Sequence, residues 1–183
     1  MDRLYFFSRS RDVAPGRGAN EYVRSANEYQ ELSQIPQWRQ MLSNFWAAPF
    51  EINGVRWNSV EHVFQASKLN LVSPAVAWQF TLNSGSVLSQ GGGEDAQRQR
   101  KAVVLTPQQL AQWDQLRETV LHSALTAKFR QNSDLGRLLL LTRKAELWHG
   151  AGRTAPSRQY SLESVRDQLA FQVITGLLQT GRV

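Results

Sequence analysis

The alternation of apolar and polar residues predicts a β-hairpin at residues 50–57, FEINGVRW. The dipeptide Asn53-Gly54 separates two alternating triplets, which is the strongest short-range signal of a two-residue type I′ turn. The expected register forms three cross-strand pairs: Ile52 with Val55, Glu51 with Arg56 and Phe50 with Trp57. One face of the hairpin is then apolar and the other carries a pair of opposite charges, so the pattern and the turn chemistry agree.

Apolar residues at helical spacing predict four helices after the hairpin. The first takes Asn58 as its N-cap, has Glu61 in capping-box spacing and runs to about Leu71. A Thr-Pro pair at 106–107 begins a long helix that runs to about Phe129. The other two cover 134–141 and 162–178, the last with inward-facing Leu162, Val165, Leu169, Val173 and Leu177. Together with the hairpin, they predict an α+β fold that is mostly helical and has a small hairpin-based sheet.

Polar segments that contain glycine interrupt this pattern at three places: 8–30, 83–104 and 148–160. Glycine, proline and polar residues without apolar periodicity are typical of loops, so each segment is expected to be a loop, the first with room for one short helix. The last segment, WHGAGRTAPSRQY, also carries His149, Arg153 and Arg158. Because binding residues are frequent on loops, it is predicted to have a function.

Length and composition fit a single globular domain over residues 1–183 with a sizeable core. The chain has no cysteine, so neither a disulfide framework nor a thiolate metal site is expected. Its three histidines, His62, His122 and His149, are too scattered to indicate a zinc site. A mechanism that uses no metal and no cofactor is therefore expected.

Charge and the N-terminal segment bear on compartment and ligand. The segment MDRLYFFSRSRD has charges on both sides of an apolar run that is too short for a secretory signal or a membrane span. A cytoplasmic protein without a membrane partner is therefore expected. The net charge of +6 is spread over arginines along the chain and forms no block of like charges. It suits an anionic ligand such as a phosphate, and on charge alone nucleic acid is an equal candidate.

Several blocks of sequence together carry a resemblance to a known family. Residues 42–69, LSNFWAAPFEINGVRWNSVEHVFQASKL, contain Ser-Asn-Phe-aromatic, a hairpin and then Glu-His-x-x-Gln-Ala-x-Lys. Three further blocks follow in order: KFRQN at 128–132, LLLLT at 138–142 and AELWH at 145–149. Taken together they resemble the NADAR family, whereas any one block alone would be weak. The resemblance implies cleavage of an N-glycosidic bond to ribose, in ribosylated aminopyrimidines or in ADP-ribosylated bases.

Three polar residues of the first predicted helix are the candidates for this chemistry. Glu61, Gln65 and Lys68 are spaced i, i+4 and i+7, so they project from one side beside the apolar stripe. The Glu61 carboxylate would stabilise an oxocarbenium-like transition state and orient or deprotonate the attacking water. Lys68, desolvated beside the stripe, would form an imine with the ribose or donate a proton to the leaving base. The structural alternative is a capping-box Glu61 with a solvated Lys68.

Side chains just before the hairpin are candidate binding groups. Trp46 is expected to stack on a purine or pyrimidine, and Asn44 to bond the ribose or the edge of the base. Phe45 is a further candidate, although an aromatic residue at this position is more easily explained as core. His62 lies about 100° round the helix from Glu61, so it is expected to be a structural hydrogen-bonding residue.

The segment after the leucine run departs from the better-known branch of the family. Where that branch has an Asp-x-x-Trp-Gly element, this chain has His149 followed by GAGRTAPSRQYSLESVR. His149, Arg153 and Arg158 are expected to form a fork for a phosphate or pyrophosphate, with solvated loop arginines as the alternative. The basic segment resembles that of phage and large-virus members, which makes the aminopyrimidine substrate the less expected one.

The expected function is therefore hydrolysis, without a cofactor, of an ADP-ribosylated guanine or a related ribosyl-phosphate base. ADP-ribosylated DNA is a candidate form of that substrate. One alternative is an N-glycosidase of phosphoribosyl-aminopyrimidine riboflavin intermediates. The other is a non-catalytic module that binds ADP-ribose or nucleic acid, which a convex display of Glu61 and Lys68 would favour.

Overall fold

The secondary structure consists mostly of helices, with a few short strands. A computed structural model describes residues 1–99, 103–150 and 155–180, and the side chains of the last helix as far as Gly176. The elements in chain order are β1 (Arg3–Phe6), α1 (Gln30–Ser33), α2 (Trp38–Leu42), β2 (Phe50–Ile52), β3 (Val55–Trp57), α3 (Val60–Leu69), α4 (Pro74–Trp78), α5 (Val87–Gln90), α6 (Gly93–Arg98), α7 (Pro107–Gln131), α8 (Ser133–Leu141), β4 (Glu146–His149), β5 (Ser157–Arg158) and α9 (Tyr160–Thr180). This architecture confirms the predicted α+β class.

The chain divides into two compact units. The first unit combines Met1–Ser43 with Ser133–Val183, and the second is the continuous stretch Asn44–Asn132. Each unit has fully buried apolar side chains of its own: Leu4, Leu32, Trp38, Leu138 and Leu147 in the first, and Val60, Leu69, Phe80, Leu125 and Phe129 in the second. The assignment of residues 1–183 to one domain stays a prediction.

The Asn-Gly hairpin lies near the start of the second unit and has the predicted register. Strands β2 and β3 are antiparallel and form the pairs Phe50 with Trp57, Glu51 with Arg56 and Ile52 with Val55. Both turn residues have a positive φ, 51° for Asn53 and 80° for Gly54. A type I′ turn requires this conformation at both positions, and asparagine and glycine adopt it more easily than other residues.

Helix α3 follows the hairpin, and it starts one residue later than predicted. Ser59 is the N-cap, because its Oγ accepts a hydrogen bond from the backbone N of His62 at 3.4 Å. Asn58 is engaged elsewhere, since its Nδ2 donates to the carbonyl oxygen of Gly91 at 3.0 Å. Glu61 is therefore the second residue of the helix and lies outside the capping-box position that the sequence had indicated.

Helix α7 begins with the predicted capping box. The Oγ1 of Thr106 accepts from the backbone N of Gln109 at 3.3 Å, and the Oε1 of Gln109 accepts from the backbone N of Thr106 at 2.9 Å. Pro107 occupies the first helical position. Helix α7 packs on α3, where the rings of Phe64 and Trp113 meet edge to face with centroids 4.8 Å apart. The two helices therefore share one apolar core.

The segment 83–104, predicted to be a loop, is partly helical. It contains α5 and α6, and the side chain of Ala96 is fully buried. Ala96 belongs to a core cluster with Ala66, Leu69, Ala77 and Phe80. Helices this short have too few apolar residues to show a helical period in sequence, and their stability comes from the packing of the cluster.

The sheet of the first unit joins segments that are far apart in sequence. Strand β1 pairs in parallel with β4, which places Tyr5 beside Trp148 with ring centroids 6.0 Å apart. Strand β4 pairs antiparallel with β5. The prediction that 148–160 is one loop is therefore wrong at both ends, because Trp148 and His149 belong to β4 and Arg158 belongs to β5.

Only the first half of helix α9 buries its apolar side chains. Leu162 and Val165 are 2% and 1% exposed, whereas Val173 is 51% exposed, so the prediction that Val173 faces inward is wrong. The side chain of Leu177, which was assigned to the same stripe, lies outside the described part of the helix. No helix in the described ranges is long and apolar enough to cross a membrane.

Candidate active site

The start of α3 is tied to the segment that precedes the hairpin. The backbone N–H of Glu61 donates to the carbonyl oxygen of Asn44 at 3.0 Å, and the backbone N–H of Ala48 donates to that of Asn58 at 2.9 Å. The first of these bonds satisfies an N–H group that a helix leaves unpaired at its N-terminus. The predicted binding segment 44–46 therefore begins next to the residue that is predicted to be catalytic.

Glu61 and Gln65 form a buried hydrogen-bonded pair one helical turn apart. The Nε2 of Gln65 donates to the Oε1 of Glu61 at 2.7 Å, and the two residues are only 6% and 5% exposed. Since the amide nitrogen of Gln65 donates to the carboxylate, the amide oxygen, Oε1, remains available as a hydrogen-bond acceptor. Within the described part of the chain, this oxygen is buried and has no partner. The pair therefore combines a negative charge with an unused acceptor, which suits a ligand that carries hydroxyl groups.

Lys68 lies in the last turn of α3, about one turn beyond Gln65. It is half-buried, and the helical spacing puts it on the same side of the helix as Glu61 and Gln65. Neither Glu61 nor Gln65 is displayed on a convex surface, because both are buried. The catalytic role of Lys68 stays a prediction.

His62 is a structural residue, as its position on the helix indicated. It is fully buried, and its Nε2 donates to the carbonyl oxygen of Leu88 at 3.0 Å. In the neutral ring, its Nδ1 then accepts from the hydroxyl of Ser59 at 2.8 Å. Burial lowers the pKa of His62, which favours this neutral form. Both ring nitrogens are occupied, so the side chain stabilises the start of α3.

Phe45 and Trp46 are both half-buried. The carbonyl oxygen of Phe45 accepts from the backbone N of Gly93 at 3.2 Å, where α6 begins. The bond between Asn44 and Glu61 lies on the other side of this short segment, so the backbone of residues 44–46 is held by two helices. The binding roles of Asn44, Phe45 and Trp46 stay predictions.

Replacing Gly93 with Ala is expected to lower the free energy of unfolding by about 1–3 kcal/mol, as overpacking does in a tight core. A Cβ at this position would overlap the backbone and the side chain of Phe45. Urea unfolding measures the effect. Gly176→Ala is the matched control, because a Cβ there meets nothing within 4 Å and the helix should be slightly stabilised. Unchanged stability of the Gly93 variant would contradict the close approach.

Lys128, in α7, is an ionisable residue that the sequence analysis did not select. It is fully buried, and burial lowers its pKa from 10.5 to about 7. A signal was present in the sequence, because Lys128 follows Ala124 and Leu125 at helical spacing on the buried face of the helix. An amine that is partly neutral at physiological pH, in the same unit as Glu61, is a second candidate for lysine chemistry.

His149, which was predicted to contact a phosphate, belongs to the first unit. It ends β4, and its ring meets that of Phe6 edge to face with centroids 5.8 Å apart. Burial lowers the pKa of His149, so the neutral ring is favoured and it attracts an anion less than a cationic ring would. Arg153, its predicted neighbour in the fork, lies outside the described residues.

Arg158, the third residue of the predicted fork, is bound by two carboxylates. Its Nε and Nη2 donate to Glu163 at 3.0 and 2.9 Å, and its Nη1 donates to Glu146 at 2.9 Å. These bonds tie β5 to β4 and to the start of α9. A phosphate at Arg158 would share the guanidinium with two negative charges, which weakens its binding there.

Comparison with known proteins relates both sequence and fold to one family. The model of the NADAR domain family matches residues 25–153. N-glycosidase YbiA of Escherichia coli (strain K12) is 29% identical over 143 residues, which cover 71% of this chain and 81% of that protein. N-glycosidase YbiA of Shigella boydii serotype 4 is 31% identical over 151 residues, with coverage of 71% and 81%. The NMR structure of the E. coli protein YbiA matches with a TM-score of 0.59 and 26% identity, and the match covers 74% of this chain and 81% of that chain.

Proposed function

Because this chain belongs to the NADAR domain family and is an N-glycosidase, we propose that its substrate is an ADP-ribosylated guanine. The bond that breaks joins the anomeric carbon of ribose to a nitrogen of the base. The buried pair of Glu61 and Gln65 carries the proposal, because a carboxylate that is 6% exposed and oriented by an amide is placed for chemistry at a bound sugar. A binding module with a convex surface at Glu61 does not fit this burial.

Glu61 is proposed to act on the charge that develops at the sugar. As the C–N bond lengthens, the anomeric carbon acquires oxocarbenium character, which a negative charge stabilises most strongly where water is excluded. The same carboxylate would accept a proton from the attacking water. Gln65 would keep the carboxylate in position through the bond of 2.7 Å.

Lys68 has two proposed roles at the same centre. In the first, its neutral amine attacks the anomeric carbon as the C–N bond to the base breaks, and the base takes the bonding electrons and the proton that the attacking nitrogen loses. The remaining N–H proton then moves to the ring oxygen as the ribose opens to an imine, which water later hydrolyses. In the second, its ammonium donates a proton to the leaving base while water attacks. Lys128 is the other amine that these steps could use, because burial favours its neutral form.

Borohydride added during turnover is expected to trap an imine as a stable adduct on Lys68, which peptide mass spectrometry would locate. Lys68→Arg is expected to be inactive, because a guanidinium is not nucleophilic at neutral pH. The matched control is Lys144→Arg, whose side chain is 83% exposed in an ion pair with Asp167 and which should keep full activity.

The outcomes of this experiment separate the roles. An adduct on the peptide that contains Lys128 would transfer the nucleophile to that residue. Loss of activity in Lys68→Ala without any trapped adduct would leave proton donation as its role. Full activity of Lys68→Ala would exclude both roles of Lys68, while leaving the proposal for Glu61 intact.

The substrate itself is tested by product analysis. The protein is incubated separately with ADP-ribosylated guanine in DNA, with the phosphoribosyl-aminopyrimidine and with free ADP-ribose, and the products are identified by mass spectrometry. Release of ADP-ribose, which leaves unmodified guanine in the DNA, is expected from the first, and free ADP-ribose is the control because it has no base to lose. Release of the aminopyrimidine alone would replace the substrate and keep the reaction type. His149, Arg153 and Arg158 stay the predicted phosphate contacts, to be judged by KM in the same assay.

A further inference from the structure

Residues 88–93 of the second unit are hydrogen-bonded on both sides of the proposed site, and we infer that they set the position of Glu61 relative to the predicted binding segment 44–46. These six residues are called the brace. His62 and Asn58 are then positioning residues, because they would act on the reaction through the brace. The inference rests on the proposed role of Glu61 and adds the residues that hold it in place.

The first contact of the brace comes from His62, the residue that follows Glu61 in α3. The Nε2 of His62 donates to the carbonyl oxygen of Leu88 at 3.0 Å, and the ring is fully buried. A hydrogen bond in such surroundings is not exchanged for bonds to water, so it holds its geometry. Because the two residues are neighbours in one helical turn, a shift of the Leu88 carbonyl would move the backbone that carries the Glu61 carboxylate.

The second contact reaches the chain just before α3. The Nδ2 of Asn58 donates to the carbonyl oxygen of Gly91 at 3.0 Å. The carbonyl oxygen of Asn58 accepts from the backbone N of Ala48 at 2.9 Å. Asn58 therefore links the brace both to the start of the helix and to the chain that follows the predicted binding segment.

The third contact reaches the predicted binding segment itself. The backbone N of Gly93 donates to the carbonyl oxygen of Phe45 at 3.2 Å, and the carbonyl oxygen of Asn44 accepts from the backbone N of Glu61 at 3.0 Å. A Cβ on Gly93 would lie 2.4 Å from the Cα of Phe45, so the approach requires glycine at this position. Together with the bond from His62, these contacts close a ring that runs from Glu61 through the binding segment and the brace back to α3.

The brace is itself anchored in the apolar core of the second unit. Leu88 packs against the cluster that contains Ala66 and Leu69 of α3, and Ala96, in the helix that begins at Gly93, belongs to the same cluster. The side chain of Ser89 is fully buried, and its hydroxyl donates a hydrogen bond within the same turn. A segment held in this way gives the catalytic and binding groups a fixed separation, and an error of about 1 Å in such a separation can cost about a hundredfold in rate.

Two substitutions of His62 test the brace, because each keeps one of the two bonds of the ring. In His62→Gln the amide nitrogen can still donate to Leu88, and in His62→Asn the amide oxygen can still accept from Ser59. Each variant leaves one buried partner unpaired, so thermal unfolding should show similar losses of stability. His62→Asn is expected to lower kcat about 10–100-fold with little change in KM, whereas His62→Gln is expected to keep most of kcat.

A second measurement needs no substrate. Hydrogen exchange of the Glu61 amide, followed by NMR, reports the bond from Glu61 to Asn44 directly. Exchange is expected to be faster in His62→Asn than in the wild-type protein, and His62→Gln should resemble the wild type. Because this measurement is independent of turnover, it gives the same answer if the proposed guanine substrate is wrong, and the kinetics then use the substrate that product analysis identifies.

Asn58→Asp tests the brace at a half-buried position, where folding is less at risk than at His62. The change replaces the donor to Gly91 with a carboxylate oxygen, which the carbonyl oxygen of Gly91 repels. It is expected to lower kcat and to accelerate exchange of the Glu61 amide, as His62→Asn does. Asn53→Asp is the matched control, because it makes the same change in the exposed turn of the hairpin, where Asp-Gly also suits a type I′ turn.

The pattern across the variants decides the inference. A kcat in His62→Asn equal to or higher than that in His62→Gln would show that the bond to Leu88 does not position the site, and would overturn the inference. Wild-type kcat and wild-type exchange in Asn58→Asp would overturn it as well. Wild-type kcat in Glu61→Gln would instead remove the proposed role on which the inference rests, and the exchange rates would still show whether the brace holds Glu61.

Discussion

Replacing Glu61 with Gln is expected to lower kcat by about 10²–10³-fold with little change in KM, the size of effect seen when one preorganised charge-stabilising group is removed. The amide keeps the shape of the carboxylate and its carbonyl oxygen still accepts from Gln65, so the fold should be preserved. What is lost is the negative charge that faces the sugar in the transition state. Steady-state kinetics on the substrate identified by product analysis measures the effect.

Glu51→Gln is the control for this experiment, because it makes the same change at an exposed position of the hairpin in the same unit. It should leave both kcat and KM unchanged. Thermal unfolding of the two variants and the wild-type protein verifies that they are folded. Wild-type kcat in Glu61→Gln would remove Glu61 from the mechanism, and a large increase in KM alone would make it a binding group.

Replacing Lys128 with Met is expected to stabilise the protein below pH 7 by up to several kcal/mol, the order of the cost of burying one ion, because burial lowers the pKa of this lysine. In the unfolded chain this lysine titrates at its usual pKa of 10.5, and in the folded protein at about 7. Below pH 7 both states bind the proton, and the folded state then carries a buried charge. Between pH 7 and 10.5 only the unfolded chain binds it, so stability should rise with pH across this window.

Urea unfolding at about pH 6, 7.5 and 9 tests this expectation, because the first value lies below the window and the other two lie within it. Lys128→Met should be more stable than the wild-type protein at pH 6, and the difference should shrink as the pH rises. Lys144→Met, which removes an exposed lysine, should follow the wild-type profile. A Lys128 variant that is less stable than the wild type at pH 6 would show that the contacts of the ammonium outweigh its desolvation.

The elements that the sequence predicted well are those that local chemistry determines. The Asn-Gly turn needs two positive φ angles, and the capping box of α7 needs Thr106 and Gln109 three residues apart, so each is complete within a few residues. The start of α3 shows where local chemistry is not sufficient for prediction. Asn58 and Ser59 are both good N-cap residues. Ser59 is the N-cap in the structure, because the side chain of Asn58 donates a hydrogen bond to Gly91, 33 residues away.

The parts that sequence reasoning missed depend on contacts between distant residues. Strand β4 pairs with β1, whose residues lie more than a hundred positions earlier, so a segment with glycine and proline was predicted to be a loop. The sequence did not indicate that Glu146 and Glu163 bind the guanidinium of Arg158 once the sheet has formed, and the phosphate contact of Arg158 stays a prediction. The sequence places Lys128 on the apolar stripe of its helix, but only the packing of α7 shows that its side chain is fully buried.

Part of the candidate site could be predicted, because it depends on residues that lie one helical turn apart. Helical spacing alone brings Glu61 within reach of Gln65, and the structure places a hydrogen bond of 2.7 Å between them. The ion pair in which Arg39 donates to Glu21 could not be predicted, because the positions of the two residues in sequence suggest no pairing.

The way the two units divide the chain also bears on synthesis at the ribosome. The second unit, Asn44–Asn132, is continuous, so every segment that packs within it has been synthesised once residue 132 has left the ribosome. Strand β1 leaves the ribosome before the second unit, whereas its partner β4 follows that unit and ends at residue 149. The edge of β1 that pairs with β4 therefore stays unpaired while more than a hundred further residues are translated. Vectorial synthesis thus favours completion of the second unit before the first, and it leaves an edge of β1 open to wrong pairing in the nascent chain.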